Sequence, residues 1–398
     1  MNTSDGSDKL VEALKELARS KGVELPSIPS SAGRNAYLRF LRDRGYQEEE
    51  LLPVIQRDRV TPEAKGALLV ALMKAVESDN KEFVKAVVWM AYNTMIGRDN
   101  TNLIIHGLAT ELVEDLEKAN INIPPFYAGV FPTDSYNAQC SVVDGQNIVL
   151  IDTGCMEMAE AIIISFLSKA PTQQKIFEIT LAIDNYVLLG QRADSIMSSP
   201  QGIEFGKGLP AAMVNSFEEY MLAHELGHIA LGHAIEHHMR KQSPRMGKTF
   251  NVVDKNEFQE FQADMWACRA LINCARSRYR YPPDGDLPLA VAGLSLGLGV
   301  ALMVEASAEK HEITLSTGHP PAHERLYMVQ VGYELFGAHK DAYIGRRFYE
   351  LLEEVVASAY PAAELPPLFS LELNQKIMPV LDSLRIDYSK AWFSRDSA

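Results

Sequence analysis

Cysteine is scarce in this 398-residue chain. There are four, Cys140, Cys155, Cys268 and Cys274, scattered and without a C-x-x-C pair. Usage this low argues against a disulfide scaffold and fits buried thiols in a reducing compartment. Positive charge is also short. Lys and Arg total 38 against 52 Asp and Glu, a net charge of -14. Nucleic-acid and anionic-membrane binders need basic patches, so neither is expected as a partner. The opening Met1-Asn2-Thr3-Ser4-Asp5-Gly6 has no basic segment followed by an apolar one, so no secretory leader is expected and the location is read as cytoplasmic. There is no internal repeat and no low-complexity tract. Long apolar runs are missing but for one, Leu287–Val304, which carries no charge over 18 residues. A membrane span needs about 20, and Pro288, Gly293, Ser295, Gly297 and Gly299 dilute this one. A buried core helix is expected, with Gly293 and Gly297 letting another helix approach closely.

What remains is ordinary globular composition, 47% hydrophobic and 23% charged, in a length suited to two or three domains. Helical periodicity covers residues 8–20, Asn35–Arg44, Glu48–Arg57 (weakened by Pro53) and Pro62–Glu77, the last with proline in its first turn. Residues 1–78 therefore read as a helical module, either a cap or a surface for a regulatory protein. Two more helices are expected at 81–96 and 102–119. The texture then turns to short strands at 127–131, 139–143 and 147–151. Asp144-Gly145 signals a hairpin between the last two. A helix from about Cys155 to Leu167 and another from about Gln174 to Leu189 follow. Ser216 with Glu219 reads as a capping box opening a helix that runs to about Gln242. A linker at 245–254 then leads to helices at 256–276, 287–304, 321–336 and 340–358. Residues 79–360 form the main domain and 361–398 a helical tail.

The chemistry lies in Ala223-His224-Glu225-Leu226-Gly227-His228. On a helix His224 and His228 stand one turn apart on one face and can reach one metal ion. Glu225 is displaced by about 100°. That keeps it off the metal but beside a bound water, where a carboxylate serves as general base. A catalytic zinc wants a third protein ligand. The metzincin pattern would put Gly at 231 and His at 234. The chain has Leu231 and Ala234, which rejects it. Glu260 is the best third ligand, with Glu257 a weaker rival. Asp264 lies one turn beyond Glu260 and can accept a hydrogen bond from a ligand histidine. Ala263 and Ala267 keep that face thin. His233, His237 and His238 read as a solvated, His-rich helix end.

H-E-L-G-H followed by Glu260-Phe261-Gln262-Ala263-Asp264 resembles the gluzincin peptidases of the CaaX-prenyl endopeptidase and HtpX type. Tyr136-Asn137-Ala138 before the hairpin, the strand ending Ile151-Asp152-Thr153-Gly154, and His319-Pro320-Pro321 with Arg325 resemble further elements of that family. The likeness covers about 135–330. The Lit-like phage-exclusion peptidases are a cytoplasmic parallel. The resemblance implies an α+β, mostly helical fold with a zincin-like core and a small β-sheet. It implies Zn2+ held by His224, His228 and Glu260, with Glu225 catalytic. His319 would steady the oxyanion, and Arg325 would hold Glu260 or Asp264. The multi-span membrane region of those relatives is missing, so their membrane substrates are not expected here.

Two other motifs fail. Asp152-Thr153-Gly154 mimics an aspartic-protease signature but has no second copy to share a proton with. It reads instead as a strand-to-helix turn with an N-cap. Gly247-Lys248-Thr249 would need a glycine at 242 to end a P-loop, and the residue is Gln242. The expectation is a zinc endopeptidase acting on an intracellular protein substrate, by analogy in stress or defence. The alternatives are a catalytically silent, zinc-stabilised interaction protein and a membrane-associated protease anchored by 287–304.

Overall fold

The computed structural model describes residues 4–25, 30–46, 62–96, 101–118, 121–133, 136–189, 209–233, 239–242, 250–253, 257–277, 286–313, 319–363, 365 and 370–386. The expected helix Glu48–Arg57, the loop near 198–202, His237, His238 and the Gly247-Lys248-Thr249 motif lie outside them.

The fold is α+β and mostly helical. Among the described residues five helices come first: α1 (Ser4–Lys21), α2 (Ser31–Asp43), α3 (Pro62–Glu77), α4 (Lys81–Ile96) and α5 (Thr101–Lys118). Three strands follow, β1 (Phe126–Phe131), β2 (Ala138–Val143) and β3 (Gln146–Asp152). Their order is β1-β3-β2, with β1 parallel and β2 antiparallel to β3. Asp144 and Gly145 join β2 to β3 with φ of 51° and 73°. Two positive φ angles in a row give the turn whose twist matches a tight hairpin.

Alternation divides the sheet's side chains between two faces. Tyr127, Phe131, Ile148 and Leu150 face α2, where they pack on Ala36, Tyr37, Phe40 and Leu41. Tyr37 also donates its hydroxyl to the Val130 carbonyl at 2.8 Å. Ala128, Val130, Cys140, Val149 and Ile151 face the main core. α2 thus roofs the sheet, while α1 and α3 share a smaller cluster with α4 through Ala18, Ala75, Val84, Val87 and Val88. α2 begins at Ser31, four residues before the expected Asn35, because Ser30 caps it by accepting from the Gly33 amide.

The remaining described helices build the main core, except the last, whose Leu373, Ile377, Val380 and Leu381 pack in a separate cluster with Phe261, Met265, Tyr327, Met328 and Val331. These helices are α6 (Thr153–Leu167), α7 (Thr172–Leu189), α8 (Leu209–Ala230), α9 (Glu257–Ser277), α10 (Asp286–Lys310), α11 (Ala322–Leu335), α12 (Tyr343–Ala359) and α13 (Leu371–Ser383). A two-stranded antiparallel ribbon, β4 (Met239–Gln242) and β5 (Phe250–Val253), lies between α8 and α9. α10 is the expected apolar helix and runs through the core's centre, against α6, α7, α8, α9, α11 and α12. Two of its three glycines meet α8. A Cβ at Gly293 would fall onto the Ser216 carbonyl, and one at Gly297 onto the Tyr220 ring.

Three local expectations need correction. α8 starts at Leu209, about two turns before Ser216, with Pro210 tolerated in its first turn. Ser216 is therefore inside the helix and donates to the Ala212 carbonyl at 2.9 Å instead of capping. α8 also stops at Ala230, well short of Gln242, because Gly232 turns the chain with φ of 72°. Residues 239–242 and 250–253, read as helix end and linker, pair as strands. Asp152 does hold the N-cap position of α6, but its carboxylate accepts from Thr133 Oγ1 at 2.7 Å and makes no cap bond.

His106 on α5 is buried, and its Nδ1 accepts from the Ala128 amide of β1 at 3.3 Å. Burial pushes its pKa down to about 4. An unfolded histidine binds a proton near pH 6.5. Between these values the unfolded chain holds more protons, so stability falls as pH drops from about 6.5 towards 4, by up to roughly 3 kcal/mol. His106→Asn keeps an acceptor for Ala128 but does not titrate there. Its melting temperature should fall less than that of the wild type over this window. Parallel declines would remove His106 as the titrating group.

Candidate functional site

α8 and α9 come close because both are thin where they meet. Gly227 lies against the Ala263 backbone and the Trp266 ring, where an added Cβ would sit at 3.2–3.4 Å. Ala263 and Ala267 are fully buried in the same seam. This contact sets His224 and His228 of α8 opposite Glu260 in the first turn of α9. His224 Nε2 and His228 Nε2 are 3.2 Å apart. His224 Nε2 is 3.3 Å from Glu260 Oε2, and His228 Nε2 is 3.3 Å from Glu260 Oε1. All three residues are buried, and the group can hold a metal ion. Glu257, the rival third ligand, is exposed.

Glu225 is buried beside this triangle, with Oε1 3.9 Å from His224 Nε2. That is too far for a hydrogen bond but near enough to share a small molecule with the triangle. Its charge and burial act on Asp152 at the end of β3. Burial first, with Glu225 adding to it, holds the Asp152 carboxyl well above the usual range.

Behind His224 lies a charged network. Its Nδ1 is 2.9 Å from Asp264 Oδ1 and donates to it. Arg325 of α11 grips the same carboxylate with two bonds, Nε to Oδ2 at 2.7 Å and Nη2 to Oδ1 at 2.8 Å. Tyr220 donates to Oδ1 at 3.1 Å. A two-pronged guanidinium contact of this kind is strong and directional. Burial opposes the charge on Asp264, yet Arg325 and His224 outweigh it and keep its pKa far below the usual range. Burial also opposes a charge on His224, yet Asp264 and Glu260 carry its pKa up to about 9. Arg325 Nη2 stands 4.0 Å from Glu260 Oε2, so of the two expected partners it holds Asp264 directly.

His319 sits just before Pro320-Pro321 and α11. Its Nδ1 donates to Glu260 Oε2 at 2.5 Å, and its ring is partly exposed. The structure thus brings together all seven residues singled out in the sequence. It adds two that were not. Tyr220 lies one turn before His224, a helical spacing that offered a weak signal. His233 was read as solvated, but its Nδ1 is 3.0 Å from His228 Nδ1. The cause is the early end of α8, which folds the chain back.

A family model described as Peptidase U49 matches residues 217–345. The matched segment is about a third of the chain, and it holds every residue of the site from Tyr220 to Arg325. It supports peptidase activity. No curated protein and no solved structure matches the chain.

The Asp264–Arg325 pair generates a test. Arg325→Met leaves a buried carboxylate without its main partner and should destabilise the fold by about 3–5 kcal/mol. Pairing it with Asp264→Leu removes both charges and should recover most of that loss in chemical denaturation. A double variant no more stable than Arg325→Met would mean that the ion pair is not what the single change breaks.

Proposed function

We propose that the chain is a single-zinc endopeptidase of the gluzincin type, with His224, His228 and Glu260 as metal ligands and Glu225 as general base. The observation that carries this reading is the ligand triangle. Tetrahedral ligands about 2.0–2.1 Å from one zinc stand about 3.3–3.4 Å apart, and the three contacts measured are 3.2, 3.3 and 3.3 Å. Two imidazoles and a carboxylate are a donor set that zinc accepts in catalytic sites. The match to a peptidase family over the same segment supports the reaction class. When bound, zinc would supply a Lewis acid that polarises the scissile carbonyl and makes water acidic near neutral pH.

The chain's own groups do the rest. Glu225 takes the proton of the attacking water and passes it to the departing amine. Asp264, held by Arg325 and Tyr220, keeps the His224 Nε2 lone pair turned towards the triangle. His319 donates Nδ1–H to Glu260, so steadying the oxyanion through Nε2–H requires the ring in its doubly protonated form. Among the described strands β3 is central, so of the hairpin pair only β2 has a free side. β2 packs against α8, and an extended substrate can join it by strand addition. We further infer an intracellular protein as substrate and a cytoplasmic location. The low cysteine content supports this, as does the burial of all four cysteines outside any disulfide.

Glu225→Gln is the direct test. Turnover should fall by roughly 10²- to 10⁴-fold, with zinc content unchanged. Cellular proteins compared after expressing the two forms should show a fragment only with the wild type. Identical profiles with zinc bound in both would favour a silent, zinc-stabilised interaction protein.

A further inference from the structure

The His228 ring is held from behind by a residue outside the ligand triangle. After Ala230 the chain closes α8 with a Schellman turn. The Gly232 amide bonds the Ile229 carbonyl at 3.1 Å, and the His233 amide bonds the His228 carbonyl at 2.8 Å. Gly232 takes φ of 72°, the left-handed conformation such a turn requires. The turn returns the next residue over the one five places earlier, and that position commonly carries an apolar contact. Here it carries a second imidazole. His233 Nδ1 lies 3.0 Å from His228 Nδ1, with ring centroids 5.2 Å apart and planes at 62°. A nitrogen-to-nitrogen hydrogen bond sets no fixed angle between the ring planes, and the 3.0 Å separation of the two nitrogens is what identifies it.

We propose that His233 is a positioning residue that fixes the tautomer and ring orientation of His228 for metal binding. This rests on the reading of the triangle as a metal centre. His228 Nε2 faces His224 Nε2 and Glu260, so its lone pair must point there to bind a metal. A neutral ring then carries its proton on Nδ1. That proton has His233 Nδ1 at hydrogen-bond distance, so His233 accepts it and keeps its own proton on Nε2. The two ligand histidines are therefore held differently, His224 by the Asp264 carboxylate and His228 by a neutral ring. The electrostatics favour this asymmetry. Glu225, Glu260 and Asp264 already bring three carboxylates into one buried site. A fourth behind His228 would add negative charge, whereas an imidazole orients the ligand without any. The pattern is written locally as His228-Ile229-Ala230-Leu231-Gly232-His233, in which glycine makes the turn and histidine uses it.

The test uses the full chain with Zn2+ and Co2+, each titrated against a chelator of known affinity. His233→Asn places an amide oxygen where Nδ1 was and keeps the acceptor. His233→Phe keeps the ring shape and removes it. His233→Phe should weaken both metals by roughly 10- to 100-fold and shift the visible bands of bound Co2+. His233→Asn should stay within a factor of a few and keep the wild-type spectrum. Equal melting curves for the three metal-free proteins should accompany this. If His233→Phe binds both metals like the wild type, or His233→Asn is as weak as His233→Phe, the proposal is overturned while the metal centre stands. If the wild type binds neither metal, the metal centre itself fails and the proposal with it.

Discussion

The site depends on one buried contact, the two-pronged grip of Arg325 on Asp264. Three helices meet there. α8 brings His224 and Tyr220, α9 brings Asp264 and α11 brings Arg325. Burying these charges separately would cost several kcal/mol each. Burying them together lets each satisfy another. The arrangement is therefore cooperative, and His224 cannot be oriented unless all three helices are docked. The ligand geometry is in this sense a property of the core and not of the motif.

Docking at that precision needs small residues at the crossings. Gly227 lies on Ala263 and its neighbours, and Gly293 and Gly297 of α10 lie on Ser216 and Tyr220. At Gly227 and Gly293 backbone comes near backbone and at Gly297 backbone meets the Tyr220 ring, so a side chain at any of them would crowd α8. A shift of about 1 Å would spoil contacts that are useful only near hydrogen-bond or ligand distance. The apolar character of α10 follows from the same role. It touches six of the described α-helices and has little surface left for polar groups.

Much of this was legible in the residues. Short strand-like runs and Asp144-Gly145 gave the hairpin, and apart from α8 helical periodicity found α3 to α12 to within a few residues at most ends. His224, His228, Glu260 and Asp264 were legible because their spacing along two helices follows from the helical repeat. Helix ends were read less well. Ser216 with Glu219 resembles a capping box, but the preceding turns are helical too, and a serine inside a helix can satisfy itself on the carbonyl four residues back. The stop after Ala230 turned on one glycine that a longer helical pattern obscured.

The sequence by itself determined the candidate groups: two histidines on one face of α8 with a glutamate beside the first, and on α9 a glutamate with an aspartate one turn further on. These follow from identity and from 3.6 residues per turn. Only the tertiary structure decided which partner each donor has. It put Arg325 on Asp264, His319 on Glu260 and His233 on His228, and it made β3 central so that β2 is the hairpin strand with a free side. Partners across 59 and 61 residues of chain depend on how helices cross, and no local spacing encodes that. His233 is the exception that shows the limit. It lies five residues from its partner, yet the contact exists only because the helix ends between them.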